Sequence, residues 1–116
     1  MRIEIRGRNV EMTDDLRELV NKRFSRLNRQ VSGLASCEVV LYEERNPSIP
    51  DRQVAEATVR LKGATLHARE ASPEMALSIH HLSEDVNRQV KKHREMLRKR
   101  KVTRRVIGQM RGRPAV

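Results

Sequence analysis

One cysteine and four histidines of this sequence could bind a metal ion or act as a nucleophile or general base: Cys37, His67, His80, His81 and His93. A helical zinc site needs two histidines four residues apart, whereas the neighbours His80 and His81 would point about 100° apart on a helix. A single cysteine forms neither a disulfide framework nor a cysteine-based zinc site. These residues therefore predict no metal site.

Motifs of nucleophilic catalysis and of nucleotide binding are also missing from the sequence. No serine or cysteine has a histidine and an acid in a recognisable arrangement, and neither a P-loop nor a dinucleotide-binding glycine motif occurs. We interpret Cys37 as a small buried strand residue. His93 falls among apolar helix positions, which favours a packing role over a contact with a phosphate or a base. We predict that the protein is not an enzyme and has no cofactor and no small-molecule substrate.

The charged residues point to a partner. The 116 residues hold 25 Lys and Arg against 15 Asp and Glu, a net charge of +10. Residues 87–116 hold twelve of these bases and one acid, Glu95. A smaller basic cluster lies within 22–29, in a stretch without acids. Because a surface that only keeps a protein soluble mixes both signs, this layout predicts a polyanionic partner.

The spacing of apolar residues predicts the elements that carry these charges. Alternation predicts four strands, over 2–6, 37–42, 53–62 and 65–69. Short connections favour an antiparallel meander for the last three strands. A first helix is predicted over 14–30, capped by Thr13 and ended by Ser32 and Gly33. Its apolar stripe is Leu16, Val20, Phe24, Leu27 and Val31.

A second helix is predicted over 73–100, with Ser72 as its cap and Pro73 at its first position. Its apolar stripe is Met75, Ile79, Leu82, Val86, Val90, His93 and Leu97. The predicted order is β-α-β-β-β-α, an α+β fold with both helices on one face of a four-stranded sheet. We divide the chain into a domain over 1–101 and a basic, flexible tail over 102–116.

Composition also restricts the kind of polyanion. Phe24 and Tyr42 are the only Phe, Tyr or Trp residues, whereas a stacking platform for single strands needs several exposed rings. The basic stretches lack the aromatic residues that insert into an anionic membrane. No run of 18 apolar residues and no apolar N-terminal segment is present. We therefore expect a cytoplasmic protein that grips the backbone of a folded or duplex RNA and has no membrane partner.

Several segments resemble, in order and in spacing, the ribosome hibernation-promoting factors, also called ribosome-associated inhibitor proteins. They are Arg2–Thr13 followed by Leu16 and Arg17, Lys22–Leu27, Ala55–Val59, Leu66–Ala68, the spaced set Met75, Ile79 and Leu82, and Arg88–His93. The resemblance covers roughly residues 1–100. It implies the same fold and a non-enzymatic factor that binds the decoding channel of the small ribosomal subunit. There it would overlap mRNA and tRNA, inhibit translation and preserve idle ribosomes.

The resemblance also implies the residues that contact ribosomal RNA. By position they are Lys22, Arg23, Arg26, Arg29, Arg88, Lys91, Lys92, Arg94, Arg98 and Lys99. Any one of them could instead be a solvated charge. Long family members continue into a C-terminal domain that pairs ribosomes, and this sequence, which ends at Val116, is expected to lack it. Promotion and prevention of ribosome dimers both stay open, and we expect a monomer off the ribosome.

Two other functions stay open on the residues alone. A general module for binding structured RNA, or an RNA chaperone, would bind isolated duplex RNA about as well as ribosomes. A protein-interaction domain would dock an acidic partner on the second helix, and nuclease treatment would not release that partner.

Overall fold

The computed structural model describes residues 1–31 and 35–111, with side chains as far as Thr103. Its elements in chain order are β1 (Arg2–Arg8), α1 (Asp14–Phe24), a 3₁₀ turn (Leu27–Arg29), β2 (Ser36–Glu43), β3 (Gln53–Leu61), β4 (Ala64–Ser72) and α2 (Met75–Arg111). The predicted order of strands and helices is confirmed.

The four strands form one mixed sheet in the order β1-β2-β3-β4. β1 runs parallel to β2, and the predicted antiparallel meander of β2, β3 and β4 is confirmed. The register places Ile5, Val39, Ala57 and Ala68 in one row across the sheet. Each of these residues contributes to the core, so the row marks the face that the helices cover.

Two strands continue for two or more residues beyond their predicted C-terminal ends. β1 continues to Arg8 because it keeps pairing with β2 as far as Tyr42. β4 continues to Ser72, which lies opposite Gln53. Backbone hydrogen bonds between strands hold these ends. The alternation of apolar residues does not predict such bonds, because they do not depend on side-chain type.

The core lies between the sheet and the two helices. The strands contribute Cys37, Val39, Leu41, Ala55, Ala57, Val59 and Ala68, and the helical segments contribute Val20, Phe24, Leu27, Ile79, Leu82, Val86 and Val90. α2 packs on β3 and β4, while α1 packs against α2 and β1. Both predicted apolar stripes are therefore confirmed up to Val90, and the outer sides of the helices face away from the sheet.

The first helix is shorter than predicted. Its start is confirmed, because Oγ1 of Thr13 accepts a hydrogen bond from the backbone N–H of Leu16 at 3.2 Å. It ends at Phe24, however, and a 3₁₀ turn carries Leu27 into the core. An apolar spacing of three residues suits both helix types, so the pattern alone did not separate them. The predicted stop at Ser32 and Gly33 lies outside the described residues.

The second helix is longer than predicted. It begins at Met75, after the Ser72 hydroxyl has accepted a hydrogen bond from the backbone N–H of Glu74 at 3.3 Å. The predicted end near residue 100 is wrong, because the helix continues to Arg111. No glycine or proline occurs between Met75 and Gly108, and Lys and Arg are good helix formers that also suit a helix C-terminus. Residues 112–116 of the predicted tail lie outside the described residues.

The last turns of α2 project beyond the sheet. Val90 is fully buried, whereas Leu97, on the same stripe, is 41% exposed. All residues from Arg94 to Thr103 are exposed. In the part of the chain that the structure describes, no helix has an apolar stretch long enough to span a bilayer.

Candidate nucleic-acid interface

The ten basic residues singled out in the sequence all lie on the helical side of the molecule and all are exposed. Lys22 and Arg23 lie in the last turn of α1, and Arg26 and Arg29 flank and end the 3₁₀ turn. The other six lie on α2, which begins its basic run at Arg88. As far as Lys92, packing of the opposite helix face on the core holds these side chains outward, whereas Arg94, Arg98 and Lys99 lie on the part of α2 that projects beyond the sheet.

These cations are largely unneutralised. Within residues 1–31 and 35–103, only Arg88 of the ten forms an ion pair, with Asp85 at 3.9 Å. An exposed pair at that distance contributes little. The helical side therefore presents an excess of positive charge that attracts anions.

The open face of the sheet is different in charge. There Arg6 pairs with Glu38 at 3.6 Å, and Arg69 pairs with Glu56 at 3.5 Å. Glu56 also accepts a hydrogen bond from the Tyr42 hydroxyl at 2.9 Å. Positive and negative groups alternate across this face, so it has no comparable attraction for a polyanion.

A groove separates α1 from α2 on the outer surface. Its volume is about 310 Å³. It is lined by Lys22, Arg23, Ser25, Arg26, His80, Ser83, Glu84 and Asn87. The structure thus brings three of the four basic residues of the first cluster to one wall of this groove, and Arg29 does not line it.

The basic residues of α2 form two rows. Lys91, Arg94 and Arg98 follow His80, Glu84 and Asn87 at three- and four-residue steps, so they continue the wall of the groove along the helix. The second row is Arg88, Lys92 and Lys99, at spacings of four and seven residues. At 3.6 residues per turn the two rows lie roughly 90° apart around the helix.

The residues of α2 that line the groove were not predicted from the sequence. His80 was considered only as a metal ligand, and its Nε2 instead lies 3.0 Å from Oε1 of Glu84. Asn87 was not singled out. The sequence did contain one indication of this side of α2, because polar residues at 80, 84 and 87 follow helical spacing beside the apolar stripe. The sequence does not show, however, that α1 lies next to this side and so makes it the wall of a groove.

The remaining candidate residues are accounted for by packing. Cys37 is 2% exposed, as predicted, and burial, with a contribution from the Glu38 carboxylate, raises the pKa of its thiol to about 11. His93 is half-buried, in line with the predicted packing role. Among the described residues, no three of His, Cys, Asp and Glu are grouped to hold a metal ion.

Comparison with known proteins identifies the family. The family model described as Sigma 54 modulation protein / S30EA ribosomal protein matches residues 3–98. The ribosome hibernation promoting factor of Azotobacter vinelandii is 32% identical over 95 residues, covering 82% of this chain and 84% of the relative. That of Escherichia coli strain K12 is 32% identical over 98 residues, covering 84% and 98%.

A solved structure agrees with these sequence matches. The N-terminal domain of Thermus thermophilus Protein Y superposes with a TM-score of 0.69 at 30% sequence identity, covering 80% of this chain and 99% of that domain. The resemblance to the ribosome hibernation-promoting factors is confirmed, and the chain belongs to the Sigma 54 modulation protein / S30EA ribosomal protein family.

Proposed function

We propose that this protein is a ribosome hibernation factor. It binds the decoding channel of the small ribosomal subunit through the basic residues of α1 and α2, overlaps mRNA and tRNA, and so inhibits translation while preserving idle ribosomes. The observation that carries the proposal is the set of ten exposed cations on the helical side, of which only Arg88 forms an ion pair within residues 1–31 and 35–103. Relatives from Azotobacter vinelandii and Escherichia coli are named ribosome hibernation promoting factors.

The charge distribution supports an RNA partner. Lys and Arg side chains displace the counterions that surround phosphates, and the release of those ions drives association. Of the ten basic residues of the helical side, only Arg88 pairs with a carboxylate within residues 1–31 and 35–103, so the charge of the other nine is available to phosphates. Residues 1–86, which include α1, hold thirteen bases and fourteen acids in all, so the attraction is concentrated on the basic cluster within 22–29 and on residues 87–116.

The aromatic residues support recognition of the RNA backbone. Phe24 is 1% exposed in the core. The guanidinium of Arg8 lies 4.7 Å above the ring centroid of Tyr42. The ring of Phe24 is thus buried and one face of Tyr42 is already covered, which supports a protein that depends on phosphates and on the shape of a folded RNA.

Binding to the small subunit is the first test. We expect the protein to co-sediment with vacant small subunits at moderate salt and to inhibit translation in a cell-free system. If about six phosphates are neutralised, log K should fall with log salt at a slope of about −5, taking the duplex coefficient as a guide. Absence of co-sedimentation would contradict the proposal, and a flat salt response would contradict its electrostatic mechanism.

A matched pair of variants tests the site. We expect joint replacement of Arg26, Arg29, Lys91 and Lys92 by Gln to abolish co-sedimentation, because it removes four unpaired charges from the helical side. The control replaces four exposed cations of the sheet and its β3–β4 turn by Gln: Arg2, Arg6, Arg60 and Lys62. Both variants lose the same formal charge, so equal losses of binding would show that net charge alone matters.

A competition assay distinguishes the proposal from a general RNA-binding role. Isolated duplex RNA, in equal amounts of phosphate, should compete poorly for the protein bound to small subunits. Competition equal to that of unlabelled subunits would favour the general role, and association that survives nuclease would favour a protein partner. On the proposal the protein acts in the cytoplasm as a monomer, which light scattering of the free protein tests.

A further inference from the structure

The groove between α1 and α2 has two walls of different chemistry. The α1 wall presents Lys22, Arg23 and Arg26, whose cationic groups are exposed. Within residues 1–31 and 35–103 these three groups form no ion pair. This wall therefore suits an anionic group.

The α2 wall includes two residues with hydrogen-bond acceptors, the carboxylate of Glu84 and the side-chain amide oxygen of Asn87. Nε2 of His80 lies 3.0 Å from Oε1 of Glu84. Among the described residues, His80 Nδ1 and Asn87 Oδ1 are buried atoms without a hydrogen-bond partner. The Ser83 hydroxyl is already used, because it donates to the backbone carbonyl of His80 at 2.8 Å.

Unpaired acceptors favour a ligand that brings donors. A buried acceptor without a partner is costly, and a donor that reaches it recovers that cost. The groove therefore suits a molecule that places an anionic group against α1 and N–H donors against α2. A nucleotide has both groups.

We propose that the groove holds one unstacked nucleotide of the bound RNA, with its phosphate on the α1 wall and its base on the α2 wall. The base is one that carries an amino group, which adenine, cytosine and guanine all do, because Asn reads the amino edge of adenine and a carboxylate accepts from an amino group such as that of cytosine. Uracil offers no amino group. A volume of about 310 Å³ is at the small end of ligand sites, so it takes one nucleotide and excludes a duplex.

This inference rests on the proposed function for the RNA, and it adds base preference to a surface that otherwise binds phosphates. The nucleotide lies in a single-stranded segment, where bases can leave the stack. Lys91, Arg94 and Arg98 continue the groove wall along α2. The phosphates next to the bound nucleotide can therefore contact this row of cations.

Short single strands test the preference directly. Fluorescence anisotropy would measure binding of the full chain to labelled hexaribonucleotides of A, of C and of U. We expect A and C to bind about five-fold or more tightly than U, the lower limit for a good base contact. Asn87→Ala should bring A to the level of U, since its acceptor is removed, while Lys22→Gln should weaken all three alike.

Asn21→Ala is the matched control, because Asn21 is an exposed residue of α1 that does not line the groove. Both substitutions replace asparagine by the better helix former alanine, so both variants should fold, and thermal unfolding checks that they do. Equal affinity of the three hexamers for the unmodified protein, or an A-to-U ratio unchanged by Asn87→Ala, would overturn the inference.

A free nucleotide has the same chemistry as a nucleotide within RNA, and competition separates the two sources. We expect AMP and CMP to displace the hexamers only at far higher concentration, because they lack the neighbouring phosphates. Displacement by AMP at the concentration of the hexamer would overturn the assignment to RNA. Co-sedimentation with small subunits is measured in parallel. If the protein binds small subunits but shows no preference among the hexamers, this inference alone is contradicted. If it prefers A and C but does not bind small subunits, the proposed function is contradicted.

Discussion

Cys37 carries the single thiol of this chain, and its surroundings make that thiol unreactive. It lies in β2 on the face covered by the helices, and it is 2% exposed. Burial disfavours the thiolate, and the nearby Glu38 carboxylate disfavours it further, so the pKa rises to about 11. At neutral pH the group is a protonated, packed side chain, which is why its chemistry contributes nothing to the proposed function.

Cys37 should therefore be protected from alkylation in the folded protein. We expect iodoacetamide to react far more slowly with the native chain than with the chain in denaturant, because only the thiolate is reactive. Mass spectrometry of the alkylated fraction over time measures both rates. Equal rates would show that the core around β2 opens readily or that the thiol is ionised.

The same raised pKa of Cys37 predicts a pH effect on stability. The unfolded thiol releases its proton near its ordinary pKa of 9.0, whereas the folded thiol keeps its proton until about pH 11. Stability from this group is therefore complete below pH 9 and is lost as the pH rises to 11. The loss is about 3 kcal/mol for two pKa units. Urea unfolding at pH 8, 10 and 11 measures it, and Cys37→Ala, which lacks the group, should lose less over the same range.

At the scale of the element, α2 combines two environments in one continuous helix. From Ile79 to Val90 its apolar stripe is buried against β3 and β4. From Arg94 onward the described side chains are exposed, although Leu97 continues the stripe. An exposed helix end of this kind gains little from packing and depends on helix propensity and on its neighbouring turns.

Two leucines of the α2 stripe should accordingly differ in their effect on stability. We expect Leu82→Ala to lower the free energy of unfolding by about 2–5 kcal/mol, because it opens a cavity in the core. Leu97→Ala should lower it by less than about 1 kcal/mol, as is usual for an exposed position. Urea unfolding followed by circular dichroism measures both. A large loss for Leu97→Ala would show that this part of α2 is covered.

At the scale of the whole molecule, the sequence predicted what depends on local pattern. The strands, the meander and the apolar faces of both helices follow from alternation and from three- and four-residue spacing. The end of α1 at Phe24 and the continuation of α2 to Arg111 were missed, because a 3₁₀ turn and an unpacked helix leave no distinct apolar signal. The groove was missed because it exists only where α1 lies beside α2, and no spacing along one helix reports that.

The basic end of the chain is the last feature whose contribution can be measured separately. Residues 104–116 hold four cations, Arg104, Arg105, Arg111 and Arg113. The residues before them, Arg94–Thr103, are exposed, so a chain that stops at Thr103 should keep the thermal stability of the domain. On the proposed function it should bind small subunits more weakly, with a salt slope reduced by up to about 4, since each phosphate contact contributes about 0.9.

The control keeps the full length and replaces the four arginines by Gln. If both variants lose affinity alike, the charges act; if only the shortened chain does, the length of the segment matters. An unchanged slope in both would confine the phosphate contacts to the domain itself, and a lowered melting temperature would mean that the segment packs on it.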